Sequence, residues 1–129
     1  MSANGAAKRL VEELLGPLHM HFLSARAAYR DYLDNGRGFR FASSLRRING
    51  CARELLLNKR HLLPEEHQAS AVALIGHYDA WMALWDEHAE RLRPAPDDPF
   101  VFENRHTYPR DAEQRLEALY EGLGAGRSA

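Results

Sequence analysis

A single cysteine among 129 residues excludes an internal disulfide, and the lack of any Cys pair excludes a zinc knuckle or a CxxC redox motif. Long apolar runs are missing too. The longest is the six residues Ala80–Trp85, against the roughly 20 that a membrane-spanning helix needs. The first residues, Met-Ser-Ala-Asn-Gly-Ala-Ala-Lys-Arg, carry no apolar stretch behind their charges, so a secretory leader is not expected and a cytoplasmic location is the default. Lysine is scarce: 15 of the 17 cations are Arg, a usage that a GC-rich genome gives and that also suits bidentate contacts. What is present is ordinary for a globular domain. With 45% hydrophobic and 27% charged residues, a chain of this length buries enough surface to fold as one domain without a staple.

Apolar residues repeat at helical spacing along most of the chain. A first helical segment begins near Ala6 and meets Gly16-Pro17, where Pro17 either opens a new helix or kinks a long one. Beyond it Leu18, Phe22, Ala25, Tyr29 and Leu33 mark a face, and Asp34-Asn35-Gly36 ends the helix with Gly36 suited to a left-handed cap. A second helix is expected from about Ser43 to Leu63, burying Phe41, Leu45, Ile48, Ala52, Leu55 and Leu62, with Cys51 and Leu56 widening the stripe. Pro64-Glu65-Glu66 is a start signature for a third helix reaching about Arg93. Its stripe is Val72, Ile75, Tyr78, Met82, Trp85, Ala89 and Leu92. Four of the six prolines fall between 94 and 109 and exclude regular helix there. A last helix opens at Pro109-Arg110-Asp111 and runs to about Leu123, with Ala112, Leu116, Leu119 and Leu123 on one face. The expectation is an all-α fold of four to five antiparallel helices. It is a single domain over 1–129, with an ordered loop at 94–108 and frayed ends at 1–5 and 124–129.

Charge is unevenly distributed. Residues 1–60 hold 11 Lys and Arg against 5 acids, a net +6, whereas residues 61–129 hold 6 against 13, a net −7. Either the halves face each other or a basic surface is kept for an anionic partner. The densest stretch, 26–60, has nine cations to three acids, interleaved with Tyr29, Tyr32, Phe39 and Phe41. Within it, flexible backbone at Gly36 and Gly38 precedes a helix start and makes Arg37, Arg40, Arg46, Arg47 and Arg53 the candidates for binding an anion or nucleic acid. The competing reading pairs these cations with acids such as Asp86, Glu87, Glu90 and Glu117 across the bundle. A net charge of −1 also opposes strong non-specific nucleic-acid binding.

No catalytic constellation stands out. Arg60 and His67 fit the Arg-x(4–6)-His spacing used by HEPN helical ribonucleases on the RNA phosphodiester. With 15 Arg and 7 His, about two such pairs arise by chance, and Pro64 separates these two, so the pattern supports only an alternative reading. The seven His include no pair at i, i+4 spacing; His19 and His21 point apart on a helix, and His77 and His88 are too far apart axially to share an ion. No metal site and no cofactor is expected. Cys51, on an apolar stripe, reads as a buried inert thiol. The aromatic group Trp81, Trp85, Phe100 and Phe102 reads first as core and core cover; a Trp left outside would anchor a protein interface.

These readings lead to a non-enzymatic helical bundle acting through macromolecular binding, with a protein partner and a homodimer expected, in an accessory, regulatory, immunity or antitoxin-like role. The alternative is an RNA- or DNA-directed protein using the Arg-rich stretch, with cleavage by Arg60 and His67. A small-ligand or metal sensor has the least support in the sequence.

Overall fold

A computed structural model describes residues 3–128, with side chains from 5 to 124. The elements are α1 (Ala3–Leu10), a π-helical turn (Val11–Leu15), α2 (Gly16–Asp34), α3 (Phe39–Lys59), two short 3-10 turns (Arg60–Leu62 and Glu65–His67), α4 (Gln68–Leu92) and α5 (Arg110–Ser128). Because α1, the π turn and α2 form one continuous rod, four helices pack against each other. The expected all-α bundle is what forms, and no helix among the described residues is long and apolar enough to cross a membrane. Cross-helix pairs fix the directions. Arg46 meets Asp86 and Arg53 meets Asp79, while His19 meets Glu117 and Arg26 meets Glu113, so residue numbers rise on one helix as they fall on its neighbour. The bundle is therefore antiparallel throughout. Residues 1, 2 and 129, within the ends expected to fray, lie outside the described residues, and α5 continues past Gly122 and Gly124 to Ser128.

At Gly16-Pro17 the rod continues without a break, and Pro17 lies in the first turn of α2 directly after the π turn. Pro17 has no N–H to return to the preceding turn, and the backbone instead widens by one residue, with the Gly16 N–H bonding to the Val11 carbonyl. A Cβ at Gly16 would lie 2.9 Å from that carbonyl oxygen, so the close approach requires glycine. Helix α3 begins at Phe39 rather than near Ser43. Gly38 is extended (φ −69°, ψ 150°) and its carbonyl accepts the N–H groups of Phe41 and Ala42, while those of Phe39 and Arg40 go to the Asp98 and Pro96 carbonyls, so backbone and no side chain satisfies the helix start.

The main core joins Leu10, Leu14, Leu15, Leu18 and Phe22 to Ala52 and Leu56 of α3, Ala71, Leu74 and Tyr78 of α4, and Ala112 and Leu116 of α5. On α4 the buried line is Ala71, Leu74, Tyr78 and Trp85, one residue off the expected stripe at its start. Val72 is accordingly 52% exposed, and Leu92 lies past the end of the packed surface and is also exposed. Cys51 is exposed, not buried: one residue before Ala52, it sits about 100° around the helix from the core line. Tyr29 and Leu33 likewise emerge at the surface, with Ala28 buried in their place.

A second, aromatic core caps one end. The irregular segment 94–109 crosses the α2–α3 turn, where Phe39 N–H donates to the Asp98 carbonyl, Arg40 N–H to Pro96 and Phe100 N–H to Arg37. Those bonds draw Phe100 inside, 1% exposed, against Phe39 (ring centroids 5.2 Å) and Trp85 (4.9 Å).

The shift of the α4 stripe is testable. Leu74→Ala, at a fully buried position, is expected to cost about 2–5 kcal/mol in urea unfolding. Val72→Ala should change stability by less than about 0.5 kcal/mol, and equal losses at both sites would place the core seam elsewhere.

Candidate functional site

Two adjoining cavities open where the 94–109 segment faces α2, α3 and α4. The smaller, about 220 Å³, is walled by Tyr32, Trp81, Trp85, Phe100 and Phe102, with Arg37 at its edge. The larger, about 580 Å³, runs toward α5 past Asn49, His77, Tyr78, Tyr108 and Glu113. Tyr29, Leu45, Trp81 and Asn104 line both, so the two form one groove.

The floor of the larger cavity is a connected polar chain. Tyr78 hydrogen-bonds to Tyr108, whose hydroxyl donates to Glu113 Oε1 at 2.6 Å, and Arg26 Nη2 donates to Glu113 Oε2 at 2.6 Å. Burial pushes the Tyr78 hydroxyl up to about 12 and the Tyr108 hydroxyl higher still, beyond the ordinary tyrosine range. Both phenols are therefore hydrogen-bond donors and not bases near neutral pH. Glu113, matched to Arg26 and Tyr108, holds the start of α5 against α2 and is not a free carboxylate. This arrangement suits recognition rather than proton transfer.

His77 stands beside the chain, its ring edge-on to Tyr108 at 5.1 Å, with a buried Nδ1 that has no hydrogen-bond partner among the described residues. Trp85 is similar. It is 8% exposed and its buried indole N–H finds no acceptor among the described residues.

Five of the nine cations in the basic stretch pair with the protein's own acids at the surface. Arg46 makes a two-point contact with Asp86 at 2.7 and 2.8 Å while its guanidinium lies 5.4 Å from the Trp85 ring centre. Arg53 pairs with Asp79 and Glu54, Arg40 with Asp97 at 3.2 Å, Arg26 with Glu113, and Lys59 with Glu13. The candidates Arg40, Arg46 and Arg53 thus do not form an open anion surface together. Exposed pairs of this kind contribute about 0–1 kcal/mol each, so their effect is on charge neutralisation more than on stability. Arg47 is exposed, on the outer side of α3, and Arg37 belongs to the aromatic cavity; neither has an ion-pair partner among the described residues.

Arg37 is also held in an unusual backbone. Gly36 (φ +67°) takes the expected left-handed cap, but Arg37 is left-handed as well (φ +55°), at a cost of about 1–2 kcal/mol for a residue with a Cβ. Its N–H bonds to the Tyr32 carbonyl, closing the helix end, and its carbonyl accepts from Phe100. The two bonds fix the residue on the rim of the cavity.

Arg60 and His67 fall on separate 3-10 turns, divided by extended Leu63 and Pro64. Gln68 ties the two turns through the Arg60 and Leu63 carbonyls, so the Arg60 segment has a structural use. Of the four aromatics expected at an interface, Trp85 and Phe100 are core, because the 94–109 segment closes over them; Trp81 and Phe102 are only half covered. Among the described residues no group of three or more His, Cys, Asp or Glu could hold a metal ion. The Tyr78–Tyr108–Glu113–Arg26 chain was not visible in the sequence; its one local signal is a tyrosine directly before Pro109 at the start of α5. Compared with known proteins, the chain matches no family model, no curated protein and no solved structure.

Burial, with a contribution from His106, holds the His77 imidazole below its ordinary 6.5. A histidine whose folded pKa is depressed binds fewer protons in the folded chain than in the unfolded one, so it costs nothing above pH 6.5 and destabilises increasingly as pH falls below it. Wild-type melting temperature should therefore drop from about pH 6.5 toward about 5, and His77→Phe should flatten that slope. Glu13, held at about 2 by hydrogen bonds from Arg9 and Lys59, loses its contribution only between 4.5 and that value, outside the window. Parallel slopes for the two proteins would show that His77 is not the group responsible.

Proposed function

We propose that the protein is a non-catalytic binding protein whose groove receives a segment of a partner protein. The observation that carries this reading is that Trp81 and Tyr29 line both cavities. Tyr29 is 50% exposed and Trp81 half-buried, and they stand among Arg26, Arg110 and the amides of Asn49 and Asn104. Aromatic residues and Arg on a pre-formed concave surface are the composition of interface hot spots, and amides on the same wall can meet a peptide backbone. Arg26 and Glu113 neutralise each other, while Arg37 and Arg110 line the groove with no ion-pair partner among the described residues. That favours a segment led by apolar or aromatic side chains over a basic one.

The nucleic-acid reading loses support from the same pairing, which leaves few phosphate contacts on any one face. The charge argument for a homodimer weakens likewise. Arg26–Glu113, Arg40–Asp97, Arg46–Asp86 and Arg53–Asp79 all join the basic half of the chain to the acidic half within one molecule.

The test is capture from source-cell lysate with wild-type, Trp81→Ala and Arg47→Glu baits of verified fold, followed by reconstitution with the purified partner. A protein that binds wild type and Arg47→Glu within about twofold, but Trp81→Ala about 30-fold more weakly, fits the groove as a hot spot. Nucleic acid captured by wild type, lost with Arg47→Glu and falling steeply with salt would replace this reading with the other.

A further inference from the structure

We infer that the smaller cavity is a binding site for a small aromatic carboxylate, its ring against Trp81, Phe100 and Phe102 and its carboxylate on the Arg37 guanidinium and the Trp85 indole N–H. The inference does not rest on the protein-partner reading: Trp81 is common to both, but Arg37, Trp85, Phe100 and Phe102 line only the smaller of the two cavities.

Three observations converge on that chemistry. The cavity, about 220 Å³, is smaller than the roughly 300 Å³ from which ordinary ligand pockets start, so it fits one ring system with a short arm rather than a nucleotide. Its walls are aromatic, with Phe100 and Phe102 edge to face at 5.8 Å and Trp81 tilted against Phe102 at 6.4 Å, which offers a planar guest both faces and edges. Donors predominate among its polar groups, although Tyr29 and Asn104 also line it. Tyr32 donates its hydroxyl to the Phe100 carbonyl and is satisfied. Trp85, which lines the cavity, has a buried indole N–H with no acceptor among the described residues, and the exposed Arg37 has no ion-pair partner among them.

A buried N–H without an acceptor is rare and costly, and a cation on an aromatic rim calls for an anion. Five of the nine cations of the basic stretch pair with carboxylates of the same chain, and Arg37, fixed in a left-handed backbone by two hydrogen bonds, is among the four that do not. Strained residues that the surroundings hold in place concentrate at ligand clamps. A carboxylate supplies two oxygens, enough for one guanidinium and one indole N–H, and the aromatic body replaces water over the surrounding rings.

The experiment follows the indole N–H signals of Trp81 and Trp85 in ¹H–¹⁵N spectra, assigned with Trp81→Phe. Benzoate, 4-hydroxyphenylacetate and indole-3-acetate are titrated into the full chain, with indole as the ring without the anion and acetate as the anion without the ring. At least one aromatic acid should shift the Trp85 signal saturably and bind about tenfold or more tighter than indole or acetate. Arg37→Asn, chosen because Asn tolerates the left-handed backbone, should reduce that acid to the level of indole while the melting temperature stays within a few degrees. The inference is overturned if no aromatic acid moves the Trp85 signal, if acid and indole bind alike, or if folded Arg37→Asn binds the acid as well as wild type. An Arg37→Asn chain that loses acid binding but still captures the partner would separate the two sites.

Discussion

Phe100 is the residue on which the groove depends. The 94–109 segment contains too much proline to pair as a strand or coil as a helix, and it is held by a few backbone bonds to the α2–α3 turn and by one phenyl ring driven between Phe39 and Trp85. That burial brings Phe102 and Asn104 over the gap between α2 and α4. It also directs the chain so that Tyr108 reaches Tyr78 and Glu113 before α5 begins. Without it the bundle would keep its helices and lose the wall that makes a cavity of the space beside them.

Charge acts in the same direction. The opposite signs of the two halves look in the sequence like an invitation to an external partner, but the antiparallel arrangement places α3 beside α4 and α2 beside α5. Basic and acidic residues then meet at each seam. Arg46 links this to the aromatic core, because the same guanidinium that grips Asp86 covers the Trp85 ring. Arg37, like Arg30, Arg47 and Arg60, has no ion-pair partner among the described residues, and it is the one of these four that lines the aromatic cavity.

The helices and their order were legible because apolar spacing is a property of the chain itself. The left-handed Gly36 was legible for the same reason, since its neighbours announce a helix end. The start of α3 was not, because Ser43 and Ser44 look like caps while the actual cap is the backbone of Gly38, held by a segment some 60 residues later. Val72 and Ala71 could not be told apart by pattern alone, as tertiary packing chose the smaller residue for the tighter contact. The candidate site was the least legible part. Arg26 and Glu113 are 87 positions apart, Tyr32 and Phe100 are 68 apart, and no local pattern reports such pairings.

The wide turn at Val11–Leu15 has a geometric consequence for the whole N-terminal rod. Leu10, Leu14, Leu18 and Phe22 are all buried, and all are four residues apart. In a regular α-helix each step of four overshoots a full revolution by about 40°, so a row spaced this way would wind off the side facing its neighbours. The extra residue absorbs that overshoot, much as a leap day keeps a calendar aligned with the seasons. An unbroken ladder of fours that runs across a glycine and a proline is thus the signature of the wider coil. Shortening it by one residue would regularise the backbone and swing everything ahead of it, Leu10 included, away from the helices it now leans on.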